Sequence, residues 1–78
     1  MVTPGSANTI NWTYVSTNPA NWRIESSSDG GVTWSEVDLV VGTDRTYTGL
    51  STGDLARVIG VDGFDVPTLE PSNAVIVP

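Results

Sequence analysis

No cysteine, histidine or lysine occurs among the 78 residues of the chain. Without cysteine, no disulfide can reinforce a small core, and no thiolate can act as nucleophile or metal ligand. Without histidine, the commonest general base and the commonest metal ligand are gone. Positive charge is scarce too: three arginines stand against nine acids, for a net charge of −6. Such a surface repels phosphate backbones and anionic headgroups, which argues against nucleic-acid binding and against docking on membranes. No apolar run nears the ~20 residues that cross a bilayer, so no membrane insertion is expected. The opening Met1-Val2-Thr3-Pro4-Gly5-Ser6 has neither a basic n-region nor an apolar h-region, so a signal peptide is not expected. No segment shows the apolar period of a helix.

What the chain does have is short runs of β-branched and aromatic residues separated by Gly, Pro, Asn, Asp and Ser clusters. The first clear strand covers residues 9–15, where Ile10, Trp12 and Tyr14 alternate with Asn11 and Thr13. Pro19 and its flanking asparagines break it. Residues 22–27 form the next, with Trp22 and Ile24 inward and Arg23 and Glu25 outward. Asp29-Gly30-Gly31 supplies the conformations of a tight hairpin. The chain returns through Val32, Trp34 and Val37, and Leu39-Val40-Val41 continues that strand or begins a short edge strand. Further strands are expected over 45–50, 55–62 and 73–77. About seven strands with no helix between them predict an all-β antiparallel two-sheet sandwich in one domain, residues 1–78. A domain this small buries only ~60% of the surface of its unfolded chain, so each large apolar residue counts.

The second half resembles fibronectin type III domains of the immunoglobulin-like class. Thr48-Gly49-Leu50-Ser51-Thr52-Gly53 is similar to that family's E–F corner, and Arg57-Val58-Ile59-Gly60-Val61-Asp62 to its F strand. Pro71-Ser72-Asn73-Ala74-Val75-Ile76-Val77 is similar to its closing G strand. Trp12 and Trp22-Arg23-Ile24-Glu25 stand where the family has its B-strand tryptophan and C strand, so the likeness spans residues 8–77. The resemblance turns Val58 and Gly60 inward and leaves Ile59 and Val61 on the outer face as an apolar strip for a neighbour. Two departures bear on this. The family's corner tyrosine is replaced by Leu55 or Ala56, and the 50–60 segment is about two residues short; a one-residue slip would exchange the two faces.

Ser27-Ser28-Asp29-Gly30-Gly31-Val32-Thr33-Trp34 also resembles the Asp-box pattern of sialidase-like propellers. A propeller needs several blades of ~40–50 residues, and the chain has one copy. The segment is therefore expected to be a stabilised hairpin, with Asp29 accepting backbone hydrogen bonds, Gly30 and Gly31 turning the chain, and Trp34 as an apolar anchor.

Several groups could carry chemistry. Glu25 and Glu36 face each other across that hairpin, and glycoside hydrolysis needs two carboxyls ~5–9.5 Å apart. Outward carboxylates on a strand ordinarily serve solubility, so no catalytic residue is assigned. Asp62, Asp65 and Glu70 surround one loop, but their spacing matches no calcium loop, and no metal or cofactor is expected. Asn11-Trp12-Thr13 is a formal glycosylation sequon inside a strand. Trp12 and Trp22 are expected in the core rather than on a sugar-binding surface. The strongest binding candidate is the F–G loop, where Phe64, Asp65, Val66 and Leu69 fall on a long connection held by the scaffold. The alternative is that its apolar residues fold back over the core.

The expected function is thus a non-catalytic structural or interaction module. The resemblance implies a domain on a virion surface, as a phage capsid decoration or tail insertion that mediates adhesion or protein contact. The alternative is an accessory or spacer module of a secreted bacterial carbohydrate-active enzyme or surface protein. The partner would be a capsid, a tail, a neighbouring domain or a cell-surface polysaccharide.

Overall fold

The computed structural model describes every residue, Met1 to Pro78. Seven strands form: β1 (Val2–Pro4), β2 (Thr9–Trp12), β3 (Asn21–Ser27), β4 (Ser35–Val41), β5 (Thr46–Thr48), β6 (Leu55–Val61) and β7 (Val75–Ile76). They pair antiparallel in a three-stranded sheet, order β1-β2-β5, and a four-stranded sheet, order β4-β3-β6-β7. The fold is an all-β two-sheet sandwich without a helix.

The strand set differs from expectation at β1 and at Val32, and β2, β5 and β7 are shorter than the expected runs. β1 was not foreseen; its Val2 is almost fully buried and pairs with Trp12. Leu39, Val40 and Val41 continue the strand through Val37, one of the two courses expected, with a register shift opposite Ile24 and Glu25. Val32 sits in the turn instead of the returning strand and is exposed.

The core lies between the sheets. Ile10 and Trp12 reach in from one, Trp22, Ile24, Ala56 and Val58 from the other, and Leu50 and Val77 close one end. Trp12 and Trp22 meet edge to face, centroids 6.1 Å apart, and Tyr14 meets Trp22 likewise at 5.3 Å. Trp22 buries its polar edge by donating Nε1–H to the Gly42 carbonyl at 2.9 Å. With no disulfide available, side-chain amides tie the two layers. Asn73 accepts from the Val2 amide at 2.8 Å and donates to its carbonyl at 2.9 Å. Asn8, at φ 61°, takes the amides of Gly49 and Leu50 on its carbonyl and donates its side-chain amide to the Leu50 carbonyl at 2.8 Å. Asn8 thereby fastens the β5–β6 corner, which has no tyrosine.

Candidate functional site

Register fixes the outer face of the four-stranded sheet. Arg23 is the cross-strand partner of both Leu39 and Ile59, and Glu25 of both Glu36 and Arg57. Cross-strand partners share a face, so these side chains stand together. Val58 and Gly60, opposite Ile24 and Trp22, belong to the inner face.

Along the outer face runs a row of charges. Glu25 is buried, yet its carboxylate takes the Arg57 Nε at 2.8 Å and the Arg23 guanidinium at 3.4 Å. Arg57 also stacks on the Trp34 ring, 4.1 Å from its centroid. Arg23 reaches on to the 62–67 loop, donating to the Asp65 carboxylate at 2.8 Å and to the Asp65 carbonyl at 2.6 Å. Glu36 lies 3.4 Å from the same guanidinium. Arg23 holds the Asp65 carboxyl below its ordinary value, and a hydrogen bond from Glu36 adds to this. That same hydrogen bond, with burial behind it, raises Glu36, so Asp65 ionises first of the two.

The loop itself is a compact knot. The Asp62 carboxylate accepts from the amides of Phe64 and Val66 at 2.8 and 3.1 Å, and the Asp62 amide donates to the Val66 carbonyl at 2.9 Å. Asp65 adopts φ 61°, which an aspartate tolerates better than most residues. The loop's apolar side chains are left outside: Phe64 is 89% and Val66 52% exposed. Leu39 and Val41, at 39% and 57%, lie on the same sheet face.

Two expectations need correction here. Ile59 and Val61 do occupy the outer face, but they are 4% and 0% exposed and offer no strip to a neighbour. Arg23, tied to Asp65, draws the loop over that end of the sheet, and Val61 bridges to Pro67. Leu69 is not presented on the loop either. It packs inward over Gly60, where a methyl group would come within 2.4 Å of its Cδ1. Of the four loop residues expected to bind, Phe64 and Val66 are presented, Asp65 holds the loop in place, and Leu69 belongs to the core.

The hairpin before β4 is closed as its residues suggest. Gly30 and Gly31 take φ of 77° and 93°. Asp29 accepts from the Thr33 amide at 2.9 Å and from the Thr33 hydroxyl, while Ser27 Oγ accepts from the Gly31 amide at 2.8 Å. Trp34 is the half-buried ring under Arg57.

No family model, curated protein or solved structure matches the chain.

The carboxylates weighed for chemistry are employed structurally. Glu25 and Glu36 are register partners on an open sheet face, and neither lines the cavity between the sheets. Asp62, Asp65 and Glu70 do not converge, since Asp62 caps the loop and Asp65 binds Arg23. The cavity, about 280 Å³, is walled by Met1, Trp12, Tyr14, Trp22, Val58 and Leu69 with three polar residues. Trp12 and Trp22 present almost no ring surface there, and the buried Trp12 Nε1–H has no acceptor. The sequence singles out Phe64 and Val66 but not Leu39 and Val41, which stand beside Arg23 and Asn21 on the sheet face that the loop reaches through Arg23–Asp65. The alternation of Leu39 and Val41 with Asp38 and Val40 was the available signal; their nearness to the loop depends on Arg23–Asp65.

Proposed function

We propose that the chain is a non-catalytic contact module, a fibronectin type III-like sandwich that binds a protein through the outer face of its four-stranded sheet. The observation that carries this reading is Phe64, 89% exposed on a loop pinned by Arg23 and Asp62. An aromatic side chain on a rigid support loses little conformational freedom on binding, which is what an interface anchor requires. The strand order β1-β2-β5 against β4-β3-β6-β7, with the Pro71-Ser72-Asn73-Ala74 approach to the last strand, supports the family reading. Protein contact is favoured over polysaccharide binding because the tryptophan faces that would stack on sugars are occupied. Trp12 and Trp22 are buried, and Arg57 covers Trp34.

The setting proposed is a virion surface, as a capsid decoration or tail domain. Co-sedimentation with capsids and tails of the source phage tests it. Wild type is expected in the pellet, and Phe64→Ser is expected to lose at least about tenfold in binding, the scale of an aromatic hot spot. Equal pelleting of both proteins would remove the loop from the contact; no pelleting of wild type would remove the virion setting.

A further inference from the structure

Every cationic group of the chain is already engaged within it. Arg23 serves Asp65, Glu25 and Glu36. Arg57 serves Glu25 and the face of Trp34. Arg45 donates to the carbonyls of Gly42 and Asp44 and to Asn18, and lies over the Trp22 ring. The amino terminus donates to the Thr13 carbonyl at 2.9 Å. There is no lysine or histidine in reserve.

The acids are distributed differently. Glu36 is exposed on β4, on the same face as Leu39, and the partly exposed Asp65 sits between Phe64 and Val66; Asp38, the partner of Ile24, turns to the other side, where the Tyr47 hydroxyl donates to it. The exposed apolar group of Leu39, Val41, Phe64 and Val66 is therefore bordered by Glu36 and Asp65, and on this face Glu25, Glu36 and Asp65 share only the two guanidinium groups of Arg23 and Arg57. We infer that the partner of this face is a protein surface whose apolar centre is ringed by arginine or lysine. This rests on the contact reading above and specifies the chemistry of its partner.

The charge also decides between a foreign partner and a second copy. A two-fold interface sets the same patch against itself. Glu36 and Asp65 of one copy would then meet the same acids of the other, with no free arginine to intervene and a charge of −6 on each body. Like charges set against each other in an interface are repulsive, so the second copy is the wrong occupant at neutral pH. A basic partner gains instead. Guanidinium groups form bidentate, charge-assisted bonds with exposed carboxylates such as Glu36. Encounter is accelerated by the opposite fields of the two surfaces, an effect that salt removes.

A random linear peptide library, selected on immobilised wild type, supplies a defined probe. It is first depleted on the double variant Leu39→Ser/Phe64→Ser, which keeps the net charge and discards peptides held by charge alone. Native tryptophan emission confirms that this variant is folded. Enriched peptides are expected to combine apolar residues with a net positive charge. They should bind wild type at least about tenfold more tightly than the double variant, and weaken as salt is raised. Neutral or acidic peptides that still depend on Leu39 and Phe64 would overturn the basic partner and leave the contact reading standing. Failure to enrich any patch-dependent peptide would overturn the contact reading itself. Sedimentation velocity at neutral pH and low salt should show a monomer. A dimer abolished by Phe64→Ser would make the second copy the occupant and sink the inference.

Discussion

Trp12 and Trp22 face each other across the core with opposite polar fates. Both are almost fully buried, but Trp22 donates its indole N–H to Gly42 at 2.9 Å and Trp12 donates to nothing. A made hydrogen bond contributes ~1 kcal/mol net, whereas a buried donor left unpaired costs ~1–3 kcal/mol. Replacing either ring by phenylalanine removes similar volume and leaves a comparable void. The difference between the two substitutions therefore reports chiefly the indole N–H, beside the Arg45 and Tyr14 contacts that Trp22 also makes. Trp22→Phe should be the more destabilising by roughly 1–2 kcal/mol, read as the separation of urea midpoints at equal m-value. The reverse order would mean that Trp12 Nε1–H is satisfied after all, by water or by an aromatic face. The loss at Trp22 is tempered because Arg45 also donates to the Gly42 carbonyl at 2.9 Å.

Among the elements, β6 and the chain that returns beside it determine what the outer face presents. Gly60 is on the inner face, and an added Cβ would stand 2.4 Å from Leu69 Cδ1 and 3.2 Å from Leu69 Cβ. Leu69 is flexible only at its tip, so Gly60→Ala must push the whole residue, and with it the segment leading from the loop. Overpacking of this kind costs ~1–3 kcal/mol. In the double variant Gly60→Ala/Leu69→Ala the clash is absent, and the two losses should sum to less than additivity predicts, by at least about 0.5 kcal/mol. Strict additivity would mean that Leu69 does not seat on Gly60. This element also shows where the sequence was legible. The Val58–Gly60 phase is what the likeness to an F strand implies. The hairpin at Asp29 is equally readable, because its hydrogen bonds span at most four residues. The burial of Ile59 and Val61 is not readable in this way. It depends on Arg23 meeting Asp65 across 42 residues, a pairing that no local pattern encodes. β1 escaped notice for a similar reason: Val2 earns its place through Asn73, 71 residues away.

Over the molecule as a whole, charge works against compactness. A body of 30 × 24 × 18 Å carries a net charge of −6. Many of its charge pairs lie farther apart than the Debye length, ~10 Å at 0.1 M salt. Added salt therefore removes long-range repulsion, while the partly buried contacts Arg23–Asp65 and Arg57–Glu25, both 2.8 Å, are screened much less. At neutral pH the Tm should rise with sodium chloride; a fall would mean that the ion pairs outweigh the repulsion. Acid relieves the same repulsion, but specific groups then set the limit. Asp29 is lowered to about 2, first by the Thr33 hydroxyl, then by the Thr33 amide and Ser27, and Asp65 is lowered chiefly by Arg23. A carboxyl whose folded value is depressed contributes stability that is complete above its unfolded value, ~3.9, and lost as the pH falls through the folded one. Glu36 has the opposite sign. Its folded value is raised, so its contribution is complete below the unfolded value and disappears as the pH rises through the folded one. Stability should therefore hold or increase from neutrality to about pH 4 and decline from there toward about pH 2, where Asp29 gains its proton in the folded chain. Asp29→Ala should make that decline shallower in thermal melts taken across the acid range. An acid limb of unchanged slope in the variant would show that the Thr33 and Ser27 hydrogen bonds do not separate the folded from the unfolded chain.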